Sequence, residues 1–298
     1  RGYELIVRST PIENRDFKWN LISNFTSNKN EVVSIRDGID AILLGGISAY
    51  VNSPFMQLVP GQSYGAIWGS SYARYYAPGE SPKNPLVVEK DRPILIGANG
   101  FPVIDSTPKI VGDATPDWQW SLTNMVSYRQ FDFSFMVDVL WGAERYNKLD
   151  NWDGAFGHTT RTLNRSEYKV FDGVLADGTP NTRRVFLGQG VGPEDGVDYG
   201  AGYHRNVYRA AVEQSVEDAS YVKLRSVSLG YTMSQRALES LPFRSLRASV
   251  TANNLLLWTN WSQYDPEHIT SSGNNLFGLV ELSYPGTRSL VFSLNFSF

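Results

Sequence analysis

The chain ends on Ser289-Leu290-Val291-Phe292-Ser293-Leu294-Asn295-Phe296-Ser297-Phe298. Leu290, Phe292, Leu294, Phe296 and Phe298 alternate with Val291, Ser293, Asn295 and Ser297. Successive side chains of a strand point to opposite faces, so this stretch has one wholly apolar face and one mostly polar face. Two arrangements satisfy it. One is a spanning strand of a membrane β-barrel, its apolar face in lipid and its polar face on a wet lumen. The other is the edge strand of a soluble sandwich. The stretch is neutral between them, and the rest of the chain decides.

The same alternation recurs upstream. Phe131, Phe133, Phe135, Val137, Val139 and Trp141 oppose Asp132, Ser134, Met136, Asp138 and Leu140. Trp118, Trp120, Leu122, Val126 and Tyr128 oppose Gln119, Ser121, Thr123 and Ser127, with Asn124 a polar exception on the apolar face. Phe17, Trp19, Leu21 and Phe25 oppose Lys18, Asn20, Asn24 and Thr26. Val227, Leu229, Tyr231 and Met233 alternate with Ser226, Ser228, Gly230 and Thr232, and Leu246 to Asn253 repeats the pattern. Each run is about 9–11 residues, the length that crosses a bilayer at a tilt.

The connections are unequal. Those at 11–16, 129–130 and 234–244 are short; those at about 28–117, 142–219 and 256–287 are long and rich in Gly, Pro, Asn and aromatics. Long loops without structure of their own are uncommon in compact soluble domains, whereas short turns at one end and long loops at the other are the habit of outer-membrane barrels. With the short turns periplasmic, the last strand runs down and Phe298 ends at the periplasmic side. Alternation then requires 28–117 to hold zero or two spans, with 62–76 and 93–104 as candidates, for a total of seven or nine strands. An open sheet in lipid would leave backbone groups unpaired, so the remaining strands are expected N-terminal to Arg1 or on another chain.

Composition agrees. Among 298 residues the formal net charge is -3 and no Lys/Arg-rich run occurs, which argues against a nucleic-acid partner. The absence of cysteine excludes disulfides and thiolate metal sites. No apolar run approaches the roughly 18 residues of a transmembrane helix. The chain opens on Arg1, without methionine or a signal-peptide pattern, and is expected to be a piece of a longer protein.

Several segments, in order, resemble one family. They are Arg1-Gly2-Tyr3-Glu4-Leu5 with Thr10-Pro11-Ile12, and Phe17-Lys18-Trp19-Asn20 leading to Asn28-Lys29-Asn30-Glu31-Val32-Val33. Val111-Gly112-Asp113 with Pro116-Asp117-Trp118, and Phe131-Asp132-Phe133-Ser134-Phe135, follow. Then come Tyr221-Val222-Lys223-Leu224-Arg225 through Leu229-Gly230-Tyr231, Tyr264-Asp265-Pro266-Glu267 and Tyr284-Pro285-Gly286-Thr287-Arg288. Together they resemble the C-terminal barrel portion of SusC/RagA-like TonB-dependent transporters of Bacteroidota outer membranes. One departure is Asn99-Gly100-Phe101-Pro102-Val103-Ile104-Asp105, which stands where many members carry an acidic, Gly-rich stretch.

The resemblance implies an all-β fold: the C-terminal seven to nine strands of an antiparallel transmembrane barrel of 22 strands, closed by a plug. The plug and N-terminal domains are absent from these residues, and the TonB-contacting parts are expected upstream. It further implies an importer of glycan or peptide, not an enzyme, working with a SusD-like surface lipoprotein and the TonB complex. The terminal pattern of Leu290, Phe292, Leu294, Phe296 and Phe298 resembles the signal read by the barrel-assembly machinery, which acts by strand addition. A passive porin or adhesion barrel without energy coupling is the alternative, and a soluble carbohydrate-binding sandwich is a third reading.

Candidate sites are few. His158, His204 and His268 fall in the long loops, tens of residues apart, and read as solvated rather than as a zinc set. Asp150, Asp153 and Asp195 lie in Gly-rich loops that could hold calcium, though without EF-hand spacing; no other cofactor is expected. Trp152, Phe156, Tyr203, Tyr208, Trp261 and Tyr264 could stack on substrate, against the simpler reading that loop aromatics pack on one another. Tyr128, Phe131, Phe17, Trp19, Tyr231, Phe296 and Phe298 suit a periplasmic aromatic girdle, with Trp141 near the opposite rim. Without a bulge, Lys223 and Arg225 share the outward parity of Val227 and could meet lipopolysaccharide phosphates; a bulge would turn them inward.

Overall fold

The computed structural model describes every residue except 50, 263, 268–274, 282, 283 and 285. β1 (Gly2–Glu13) and β2 (Phe17–Asn28) form a hairpin. The first long loop then holds β3 (Ile42–Gly46), β4 (Phe55–Leu58), β5 (Ala66–Tyr72) and β6 (Ile104–Asp113). β7 (Trp118–Tyr128) and β8 (Phe131–Trp141) form a second hairpin. The second long loop carries β9 (Glu144–Asn147), helix α1 (Lys148–Phe156), β10 (Tyr168–Val170), β11 (Arg184–Phe186) and β12 (Val216–Asp218). β13 (Tyr221–Thr232), β14 (Ser245–Thr259), the short β15 (Leu279–Val280) and β16 (Ser289–Ser297) complete the chain.

Seven strands make one antiparallel sheet in the order β1-β2-β7-β8-β13-β14-β16. The stretch 28–117 therefore contributes no span. β5, inside the candidate 62–76, is buried throughout and belongs to a separate sheet, β3-β4-β5-β6, and 93–104 makes only isolated bridges before β6. Pro11 does not end β1, as the expected turn at 11–16 required. The strand continues to Glu13 past an irregularity between Ser9 and Ile12, and the broken register there accommodates the donor that proline lacks.

Residues paired across strands share a face, so the register tests the alternation directly. One row reads Ile12, Trp19, Val126, Phe133, Leu229, Val250, Phe292 across all seven strands. The adjacent row reads Glu13, Lys18, Ser127, Asp132, Gly230, Ser249, Ser293. One face is mainly apolar, interrupted by Asn124 and Ser23, and the other mainly polar, with Ile22, Met125, Met136 and Val291 among its residues, as a wall between lipid and water demands. Rings mark both ends of the apolar face. Phe25, Trp118 and Trp141 stack in series at one rim, and Phe131 with Tyr231, and Phe243 with Phe296 and Phe298, cluster at the other.

All short turns lie at the second rim. Asn14 Oδ1 accepts from the Asp16 and Phe17 amides to close the first, and Arg129 adopts a positive φ of 52° in the two-residue second. At the other rim the three long loops are not structureless. Ile47, Met56 and Ile67 of the first, Tyr146 and Val212 of the second and Leu279 of the third share one buried core. Ile96 and Phe101 join Phe171, Val185 and Leu187 in another. The buried Arg74–Glu213 pair, 3.0 Å, links the first two loops. No loop could bury this surface alone, which is why each reads as irregular in isolation.

Candidate functional site

The polar face of the wall meets the cap at Arg225. Against β8, Leu224 and Ser226 pair with the consecutive residues Val137 and Met136, so Arg225 is the extra residue of a bulge, while β14 sets Asn254 and Leu255 opposite it. Lys223 then pairs opposite Asp138 and shares the polar face. Arg225 donates to Asp138 Oδ2 at 2.5 Å and to both Glu267 oxygens at 2.6 Å. Lys223 Nζ lies 2.7 Å from Asp265 and 2.5 Å from Glu267, and Arg145 donates to the Pro266 carbonyl. The outward reading of Lys223 and Arg225, toward lipopolysaccharide, is overturned: one inserted residue reverses strand parity, and both cations clasp the turn at Asp265-Pro266-Glu267. Burial alone would raise the Glu267 carboxyl, but hydrogen bonds from Arg225 and Lys223 outweigh it and hold it at about 2.

A second polar network lies under α1. Asn147 Oδ1 caps the helix by accepting from the Asp150 amide at 3.1 Å, and Gly157 ends it in the left-handed region at φ 80°. Asp150 accepts from Arg161 Nε and Nη2 and from the Tyr208 hydroxyl, each at 3.1 Å. The Arg161 guanidinium lies 3.5 Å from the centre of the Tyr208 ring, a cation–π contact. Its Nη1 is 3.1 Å from His204 Nδ1, while His204 Nε2 faces Asn164 Oδ1 at 3.0 Å. Arginine can only donate, so Nδ1 accepts and the proton sits on Nε2. His204 is buried, contrary to its solvated reading; burial first and the Arg161 charge second push it down to about 4. His158 is exposed, and His268 lies outside the described residues.

Beside this network opens a cavity of about 410 Å³ lined by Asp150, Asp153, His158, Arg161, Tyr208, Glu217 and Ser262. Burial raises the Glu217 carboxyl, with the Asp150 charge adding to it, although the Ser262 amide and hydroxyl bond to it. Asp195 instead accepts from the Tyr168 and Tyr199 hydroxyls. Among the described residues no three acidic or histidine groups are placed to hold a metal, so Asp150, Asp153 and Asp195 do not converge.

The six loop aromatics do not form one platform. Tyr203 packs on Phe101 and Phe171, Tyr208 is held by Asp150 and Arg161, and Trp261 is buried with Ala219 and Val280. These three pack within the cap. Trp152 and Phe156 sit together on α1, ring centres 6.3 Å apart, with Arg205 over Phe156. Tyr264 is exposed beside the clasp. The sequence reading missed the pairing of Lys223 and Arg225 with Asp265 and Glu267. Its signal was present, since two cations and two carboxylates each stand two residues apart, as neighbours on one strand face or across one turn do.

The chain is 27% identical over its whole length to the TonB-dependent receptor P3 of Formosa agariphila and covers 28% of it. It is 26% identical over its whole length to the TonB-dependent receptor P26 of the same organism, of which it covers 29%. The TonB-dependent receptor SusC of Bacteroides thetaiotaomicron is 24% identical over 89% of the chain, which covers 24% of SusC. The structure of the RagAB peptide transporter superposes with a TM-score of 0.59 at 18% identity, taking in all of this chain and 29% of that one. The RagAB peptide importer in its open-open state gives 0.58 at 16%. No family model matches. The chain thus spans about 28–30% of the curated relatives that it matches over its full length. In sequence and in fold it is a homologue of the C-terminal barrel portion of the SusC/RagA-like TonB-dependent receptors.

Proposed function

We propose that this chain is the C-terminal wall and extracellular cap of an outer-membrane, TonB-dependent importer of glycan or peptide nutrients. The observation that carries the reading is the whole-length match to TonB-dependent receptors by a sheet that is apolar on one face and polar on the other across all seven strands. The remaining N-terminal portion would supply the other strands, the plug and the segment that contacts TonB. A SusD-like lipoprotein would cover the cap, and the barrel-assembly machinery would insert the wall. The polar face carries Asp132 with Arg247 and Asp138 with Arg225, charges that keep the lumen wet. Phe156 and Tyr264 are exposed, ring surface suited to a sugar or an apolar side chain, with the half-buried Trp152 beside Phe156. No catalytic role and no resident cofactor form part of this reading, and the Arg161 guanidinium against Asp150 disfavours calcium there.

RagAB is a peptide transporter by name, whereas the name SusC carries no substrate class. The test is uptake of labelled oligosaccharides and peptides by cells with and without the gene, each with and without a protonophore. Gene-dependent uptake of one class that the protonophore abolishes supports the importer. Gene-dependent uptake that persists under the protonophore would make the protein a passive porin, and uptake indifferent to the gene would leave an adhesion barrel.

A further inference from the structure

Several cations of the cap are matched to a carboxylate: Arg74 to Glu213, Arg92 to Glu80, Arg161 to Asp150 and Arg184 to Glu194. Three beside α1 are held another way. Arg205, in the π-helical turn His204–Tyr208, lies over the exposed Phe156 ring at 5.4 Å, and Lys169 of β10 lies over the Phe171 ring at 5.0 Å. The Arg165 guanidinium rests against Gly157, at the left-handed end of α1, so it and Arg205 converge on neighbouring residues of one helix end. Arg165 and Lys169 are exposed and Arg205 is half-buried. Among the described residues no carboxylate pairs with any of the three, and the undescribed residues include no Asp or Glu. Glu167, between Arg165 and Lys169 in the chain, is exposed and forms an ion pair with neither. Besides burial, the groups that hold His204 down are Arg161, Arg165 and Lys169, all positive, which places these cations around one imidazole. The carboxylates of the neighbouring cavity are by contrast engaged: Asp150 with Arg161 and Tyr208, Glu217 with Ser262, and Asp153 facing His158 at 4.0 Å.

A ring face or a helix C-terminus fixes a cation in place without neutralising it. A guanidinium laid on a ring keeps the N–H groups of its edge free for a planar anion. The cluster is therefore pre-positioned and carries uncompensated positive charge, on a chain whose net charge is -3. We propose that Arg165, Lys169 and Arg205 form a subsite for the carboxylate groups of an acidic solute that the importer takes up. The two arginines receive a carboxylate in charge-assisted hydrogen bonds, and Lys169 adds a point charge. Three side chains grouped about His204 and Phe156 suit one or two such groups, whereas a protein partner would engage roughly 20–30 residues a side. The inference rests on the importer reading and narrows it to acidic solutes, uronic-acid oligosaccharides or acidic peptides, which share this chemistry.

The test is calorimetric titration of the full-length receptor, purified from outer membranes in neutral detergent, with two matched pairs of probes. One pair is tetragalacturonate and its methyl ester; the other is an aspartate-rich tetrapeptide and its asparagine counterpart. At low ionic strength wild type is expected to bind the acid of one pair about tenfold more tightly than its neutral twin, the worth of one charge-assisted hydrogen bond. The pair that shows the preference identifies the source of the carboxylate. Arg165→Gln combined with Arg205→Gln brings the twins to parity, and Arg165→Lys combined with Arg205→Lys keeps most of the preference. Heat-modifiable gel mobility, the mark of a folded barrel, is the same in all three proteins. Equal affinity of wild type for the twins of both pairs, absence of binding included, overturns the proposal. An undiminished preference in the Gln variant does so too, and if that variant also loses a co-purifying lipoprotein the cluster is a protein contact instead. A preference seen in a receptor that cells do not need for protonophore-sensitive uptake would overturn the importer reading and leave the carboxylate subsite standing.

Discussion

On the apolar face, the Trp19 indole donates to Asn124 Oδ1 at 2.8 Å and the Trp120 indole donates to Ser23 Oγ at 2.9 Å. Both acceptors interrupt an otherwise greasy surface, where a polar group without a partner has no water to turn to. Each tryptophan spreads an apolar ring toward lipid and spends its one N–H on the neighbouring strand. Replacing Trp19 with Phe strips Asn124 of its donor and is expected to destabilise the barrel by about 1–3 kcal/mol, the cost of an unsatisfied buried group. Adding Asn124→Leu should recover most of that loss, because removing both partners together is nearly neutral. Denaturant unfolding in lipid vesicles reads both effects; a double variant no more stable than Trp19→Phe alone would refute the account. On the polar face, a Cβ on Gly230 would lie 2.5 Å from both Arg247 Nη2 and Asp132 Oδ2. The Arg247–Asp132 pair reaches from β14 to β8 across β13, and a side chain at 230 would push its two charged ends aside.

At the scale of the element, β16 pairs with β14 along Ser245 to Asn253, and Leu290, Phe292, Leu294 and Phe296 stand on the apolar face, as their alternation requires. Phe298 packs against Phe243 and Phe296 just beyond the strand. With its alternating apolar face and ringed end, β16 is suited to recognition by strand addition. Removing the last strand, or Phe298→Ala, is expected to lower outer-membrane abundance more than transport per molecule, as quantitative blots of membrane fractions beside uptake assays would show; unchanged abundance would sink the assembly role. The strands were legible because a wall with lipid on one side and water on the other imposes a period of two on each of them. The bulge at Arg225 was not. Leu224-Arg225-Ser226 carries no glycine or proline, and the extra residue is stabilised by Asp138 and Glu267, which lie 87 and 42 residues away.

At the scale of the whole molecule, the cap is one folded body built from three loops rather than three separate lids. Its interior holds His204 neutral between Arg161 and Asn164. The sign of its pH dependence follows. The unfolded chain binds a proton near pH 6.5 and the folded cap only near 4. The cap is therefore most stable above 6.5 and loses stability as pH falls from 6.5 toward 4, on the order of 2–3 kcal/mol in all. Hydrogen exchange of the 146–216 amides across that range should show the loss, and His204→Gln should flatten it; parallel curves for the two proteins would remove His204 as the cause. The barrel wall, whose strands are tied by their ladders, should exchange slowly throughout.

The amino-acid sequence by itself determined the wall: strand positions, their two faces, the sidedness of turns and loops, and the family likeness. All of these are local, set by period-two alternation against two solvents and by short motifs. Only the tertiary structure decided how many spans 28–117 contributes, which way Lys223 and Arg225 point, and which loop aromatics are buried. Those outcomes depend on contacts between segments far apart in the chain. Ile67, Tyr146 and Leu279 become a core only when all three loops are present together, and β5 is better satisfied by burial in that core than by exposure to lipid. No pattern confined to one loop can carry that information, because the free energy that selects it belongs to the assembled cap.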